Sequence, residues 1–70
     1  VEEIAGTLTR SDGLERALIV IRADGLATYR RQTMDSASGR WKASGPDCGL
    51  YDSVESAEAE ARARIWWLAN

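Results

Sequence analysis

The dipeptide Asp24-Gly25 separates two stretches, "RALIVIRA" (16–23) and "LATYRRQT" (26–33), that carry β-branched, aromatic and apolar residues. Asp-Gly supplies the positive φ angles of a two-residue type I′ turn, so the pattern predicts an antiparallel hairpin. With Asp24 and Gly25 as the loop, Ala23 faces Leu26, Ile21 faces Thr28, Val20 faces Tyr29 and Ile19 faces Arg30. One face of the hairpin then carries Ile19, Ile21 and Leu26, and the other carries Leu18, Val20 and Tyr29. A strand that is apolar on both faces is expected at the centre of a sheet and covered twice.

The flanking segments extend this hairpin. Upstream, "IAGTLTR" (4–10) alternates Ile4, Gly6 and Leu8 against Ala5, Thr7 and Thr9, and "SDG" (11–13) reads as a turn, so an N-terminal strand pairs with the second. Downstream, the loop "DSASG" (35–39) leads into "RWKAS" (40–44), a short outer strand with Trp41 and Ala43 on one side and Arg40, Lys42 and Ser44 on the other. The stretch "GPDCG" (45–49) is a loop by its Pro and Gly content.

From Asp52 the signal changes to helix. Asp52 is a good N-cap, and Glu55 follows three residues later as in a capping box. Acidic residues fill the first turns, while Arg62 and Arg64 lie near the end, matching the helix dipole. The expected architecture is therefore an α+β single domain over residues 1–70: a three- to four-stranded antiparallel β-meander followed by one C-terminal α-helix packed on one sheet face.

At about 100° per residue, Val54, Ala57, Ala61, Ile65 and Leu68 form the sheet-facing stripe of that helix. The adjacent Trp66 and Trp67 fall about 120° and 140° to either side of Val54, on the back of the helix with Ala59 and Ala63. A bent final turn would fold one indole over the sheet edge. The other would remain exposed, adding up to ~200 Å² of mostly apolar surface, and helical phase does not say which is which. A patch of one indole with Ala59 and Ala63 is the expected protein-contact surface, for a second copy or for another protein.

The chemistry-bearing motifs are sparse. The chain has no His, and no Gly-rich phosphate loop, nucleophile elbow or Cys/His cluster, so no catalytic or metal-ligating residues, cofactor or small-molecule ligand are predicted. Cys48 is the single cysteine, which excludes an intrachain disulfide. No apolar run approaches the roughly 20 residues of a membrane span, and the first residues are acidic where a secretory signal is basic and then apolar, so a cytoplasmic protein is expected.

Charge divides along the chain. Residues 22–42 hold Arg22, Arg30, Arg31, Arg40 and Lys42 against Asp24 and Asp35, whereas residues 43–70 hold Asp47, Asp52, Glu55, Glu58 and Glu60 against Arg62 and Arg64. Glu58–Arg62 and Glu60–Arg64 are i,i+4 pairs in the favoured order. The sheet is thus basic and the helix acidic. Arg22, Arg30, Arg31, Arg40 and Lys42 are the candidates for a nucleic-acid-binding sheet face, although a net charge of −2 and a pI near 5.0 argue against direct nucleic-acid binding. Such arginines and lysines also keep strand edges from aggregating.

The run "RW…GLYDSVESAEAEA", within residues 40–61, resembles the small three-strand-plus-helix DNA-binding domains of plant ethylene-response factors and integrase arm-binding modules. That resemblance implies base-reading side chains on the sheet, to which Arg30, Arg40 and Trp41 would correspond. In size, acidity and general character, with no motif involved, the chain also resembles phage-encoded inhibitors, including anti-CRISPR proteins. This second resemblance implies an acidic surface that occupies a partner's nucleic-acid site, built from Asp52, Glu55, Glu58 and Glu60. The reading favoured by the residues is a non-enzymatic module working by protein–protein contact as a homodimer, with nucleic-acid binding through the sheet as the alternative.

Overall fold

The computed structural model describes residues 1–68. Four strands, β1 (Glu3–Thr9), β2 (Glu15–Ile21), β3 (Ala27–Asp35) and β4 (Arg40–Trp41), precede one helix, α1 (Val54–Arg64). The strands form one antiparallel sheet in chain order, as expected of a meander. Strand β4 is shorter than the expected 40–44. Beyond it the chain stays along the β3 edge through single backbone bonds, from Lys42 N–H to Thr33 O, Gly45 N–H to Arg31 O and Cys48 N–H to Tyr29 O, and it closes on an Ala27–Tyr51 bridge.

The central hairpin has a different turn from the one expected. Asp24 does not adopt a positive φ; Gly25 alone does, at 88°. Gly25 N–H donates to Arg22 O at 2.9 Å and Arg22 N–H to Leu26 O at 2.8 Å, so Ala23, Asp24 and Gly25 form a three-residue loop with a left-handed Gly at its end. The Asp24 carboxylate accepts from Leu26 N–H at 3.1 Å and supports the loop. In consequence Ile21 pairs with Ala27, Val20 with Thr28 and Ile19 with Tyr29. The one-residue slip moves Tyr29 from the Val20 face to the Ile19 face, as the twofold side-chain period requires. The packing reason is that Ala17, Ile19, Ala27 and Tyr29 then share the helix-facing side and are all buried.

Against that side α1 presents Ala57 and Ala61, each with no exposed surface, and the chain then adds Ile65, which is 1% exposed. With alanines on both partners, helix and sheet pack at close range, and Val54, Leu68, Leu8 and Tyr51 seal the margin. Tyr51 stacks on Tyr29 with ring centroids 6.4 Å apart. The N-cap is Ser53, not Asp52: Ser53 Oγ accepts from Ser56 N–H at 3.1 Å, and Asp52 lies one residue outside the helix. Serine serves as well as aspartate in that role, and the Tyr51 bridge to β3 sets where the chain can turn into the helix.

The opposite sheet face carries Val20 and Thr28, both fully buried although no helix covers them. Thr28 Oγ1 donates to Gly49 O at 2.6 Å, satisfying its hydroxyl within the 42–51 segment. A register shift between Ile4 and Gly6 breaks the expected alternation of β1. Ile4 opposes Val20 on the open face, while Gly6 and Leu8 oppose Ile19 and Ala17 on the helix face. The bulge bends the free edge of the sheet and disfavours edge-to-edge pairing. Among the described residues no helix is long and apolar enough to cross a membrane.

Candidate interaction surfaces

The first surface is the turn that follows α1. The helix ends at Arg64 because Ile65, in extended conformation at φ −87° and ψ 117°, drops into the core while its N–H still bonds Ala61 O. Trp66 and Trp67 therefore lie in a turn closed by Leu68 N–H to Ile65 O at 2.9 Å, not on the back of the helix. Ending the helix here lets Trp67 and Leu68 reach the core, which a continued helix would have denied to Trp67. Trp67 is the half-buried indole and packs on the core, whereas Trp66 is 70% exposed. The Arg10 guanidinium lies 5.8 Å from the centre of the Trp66 ring. Between the β1–β2 turn, from Thr9 to Asp12, and residues Trp66 to Leu68 runs an open groove.

Beneath this groove sits Glu15, buried at the start of β2. Burial pushes its carboxyl up, but the Arg31 hydrogen bonds, the nearby Trp67 N–H and the charges of Arg31 and Arg10 outweigh it and hold the group below the usual carboxylate range. The Trp67 N–H itself is buried and makes no hydrogen bond of good geometry, so its interaction with Glu15 is electrostatic in the main. Arg31, expected on a nucleic-acid face, is instead committed to Glu15 on the helix side of the sheet.

Ala59 and Ala63 are exposed along the outer side of α1. They no longer share a helical face with either tryptophan, because the helix stops before Ile65. Of the four candidate acids, Glu58 and Glu60 bond Arg62 and Arg64 at 3.0 and 2.5 Å. Asp52 and Glu55 are exposed and form no ion pair among the described residues.

The second surface is the open sheet face. At one end Arg30 donates through Nε to Asp47 at 2.6 Å and through Nη1 and Nη2 to both oxygens of Glu2 at 3.0 and 2.7 Å. Arg22 joins the same Asp47 at 2.9 Å and Asp24 at 3.1 Å. The Arg30 hydrogen bond is the main reason that the Glu2 and Asp47 carboxyls lie below their usual range. Arg22 and Arg30 are thus neutralised by acids that lie far away in sequence. At the other end β4 presents Trp41 to this face, and the exposed Arg40 and Lys42 alternate to the opposite side.

There the structure also reveals a residue that the sequence reading missed. Arg16 opposes Gln32 in the register and lies with its guanidinium carbon 4.1 Å from the centre of the Trp41 ring. Its Nε donates to Gln32 Oε1 at 2.7 Å, and Gln32 Nε2 in turn donates to the Lys42 carbonyl at 2.7 Å. Arg16 and Trp41 are 25 positions apart, so only its place next to the apolar run of β2 could have drawn notice to it.

Cys48 is half-buried, with its thiol 3.7 Å from the Pro46 carbonyl. No group of three or more metal-ligating side chains assembles among the described residues. The chain thus offers two separate surfaces, a lone exposed indole beside the first turn and a polar, cation-bearing sheet face with its own tryptophan, and no family model, curated protein or solved structure matches it.

Proposed function

We propose that the chain is a small non-enzymatic binding module that acts through protein–protein contact, as a homodimer built on the turn after α1. The observation that carries this reading is the 70% exposure of Trp66 beside a second indole already seated on the core. Exposed tryptophan of this kind is characteristic of interface anchors, and a two-fold contact would pair the same patch with itself. Arg10 supports it by holding a cation beside the ring, and the adjoining groove supplies space for the partner's indole.

A finer reading, an inhibitor of a nucleic-acid-binding complex like the phage proteins that the chain resembles, is supported by Asp52 and Glu55, whose carboxylates are exposed and unpaired among the described residues. Of the residues expected for the alternative, nucleic-acid binding through the sheet, Arg40 and Lys42 support it, because Arg22, Arg30 and Arg31 are engaged in ion pairs.

Sedimentation equilibrium from micromolar to millimolar protein tests the homodimer. A concentration-dependent dimer that becomes monomeric in Trp66→Ser, with an unchanged circular dichroism spectrum, is expected. A wild-type monomer throughout that range overturns it.

A further inference from the structure

Of the nine Lys and Arg side chains, Arg10, Arg22, Arg30, Arg31, Arg62 and Arg64 each meet a carboxylate within 4.0 Å. The three that form no such pair among the described residues are Arg16, Arg40 and Lys42, and all three lie near Trp41: Arg16 lies against its ring on the open face, while Arg40 and Lys42, its neighbours in the chain, alternate to the opposite side of the strand. In a net acidic protein where the other cations are neutralised internally, this end of the sheet carries a local excess of positive charge among the described residues. Asp35, which opposes Arg40 in the register, accepts from Ala37 N–H at 3.1 Å and from Ser38 Oγ at 3.1 Å and interacts with the charge of Lys42, so it offsets part of the charge on that side; on the open face Arg16 pairs with no carboxylate among the described residues.

Arg16 is also held in place. The Trp41 ring lies against its guanidinium and Gln32 takes its Nε, while both terminal amino groups donate to no acceptor among the described residues. A planar guanidinium with both terminal nitrogens open is the half of a bidentate pair that a carboxylate completes. Immobilisation by the ring and by Gln32 removes much of the entropy such a contact would otherwise cost.

We infer that this end of the sheet docks a short acidic segment of a partner protein on its open face, with Arg16 as the bidentate anchor and Arg40 and Lys42 adding longer-range attraction from the other side of the edge strand. A single-stranded nucleic acid fits the surface less well. Stacking of successive bases needs successive free aromatic faces. Here one face of Trp41 is already taken by Arg16, Tyr29 and Tyr51 stack on each other, and Trp66 and Trp67 belong to the turn after α1.

The inference is independent of the Trp66 contact, which sedimentation tests separately. The probe is a fluorescein-labelled hexaglutamate peptide followed by anisotropy at 50 mM salt, with a labelled fifteen-nucleotide oligothymidine in parallel. Saturable peptide binding is expected that weakens at least about fivefold at 300 mM salt. Arg16→Ala should lose about tenfold or more, and Arg16→Lys most of that, because lysine keeps the charge but not the fork. Arg22→Ala, on the same face but already paired, should bind the peptide like the wild type. The double variant Arg40→Ala/Lys42→Ala, altered only at exposed positions on the other side of the strand, should lose about two- to threefold, less than Arg16→Ala. Absence of saturable binding, equal affinity of the wild type with both Arg16→Lys and the double variant, or tighter binding of oligothymidine than of hexaglutamate would overturn the inference.

Discussion

Asp47 Oδ1 accepts a 2.6 Å hydrogen bond from Arg30 Nε, and this contact ties the irregular 42–51 segment across the open face to β3. Glu2 takes the other side of the same guanidinium, so the N-terminus, the central sheet and the segment leading to α1 meet at one arginine. Asp47→Asn should lower the thermal midpoint and make the remaining stability less sensitive to salt, because the ion pairs with Arg30 and Arg22 are lost together. Equal salt dependence in variant and wild type, measured by thermal denaturation at 50 mM and 500 mM salt, would contradict this.

Acid should unfold the domain through the same groups. The Glu2, Asp12, Glu15, Asp35 and Asp47 carboxyls are all held below their usual values in the folded protein. The unfolded chain therefore binds more protons in the acidic range, and stability rises with pH there. Their contribution is complete above the ordinary carboxylate values of roughly 4 and is lost as pH falls through the lowered folded values. Urea midpoints should accordingly be level from about pH 5 to about pH 9 and decline below about pH 4.

The hairpin loop offers a backbone test. Gly25 has φ 88° with nothing within 4 Å of an added Cβ, so Gly25→Ala should cost about 1–2 kcal/mol by strain alone. Gly49 has φ 81° and an added Cβ would lie 2.6 Å from Tyr51 Oη, so Gly49→Ala should cost more, through strain and displacement of Tyr51 together. Chemical denaturation that ranks Gly25→Ala as the worse of the two would contradict this geometry.

Packing between helix and sheet should be intolerant of size. Ala57 and Ala61 have no exposed surface, so Ala61→Leu should destabilise by about 1–3 kcal/mol through overpacking. Ile65→Ala should cost about 2–5 kcal/mol through the cavity it leaves. Ala59→Ser and Ala63→Ser, on the exposed side, should stay within about 0.5 kcal/mol of the wild type in dilute protein.

The two adjacent indoles should be spectroscopically distinct. In single-tryptophan variants at micromolar concentration, Trp66 should emit to the red and be quenched readily by acrylamide, while Trp67 should emit to the blue and be protected. Equal quenching of the two would show that the turn after α1 does not hold Trp67 on the core.

The meander, the helix and the i,i+4 pairs on α1 were legible in the sequence because each rests on contacts within a few residues: alternation along β2, a turn dipeptide, helix-forming Ala, Glu and Arg. What the sequence left open was set by contacts distant in the chain. The hairpin register depends on whether Tyr29 lies under the helix, and the same Asp-Gly pair suits a two- or a three-residue loop. Only tertiary packing chose between them, by gathering Ala17, Ala27, Ala57 and Ala61 into one close interface. It likewise ended α1 at Arg64, because a turn there lets Trp67 join Ile65 and Leu68 at the core where a continued helix would have left it on the back, and this assigned Trp67 inward and Trp66 outward. Charge followed the same rule. The sequence determined how many arginines the sheet carries, but folding brought Glu2 and Asp47 to Arg30 and set Arg16 against Trp41 without a carboxylate partner among the described residues, because an ion pair depends on distance in space and not on position in the chain.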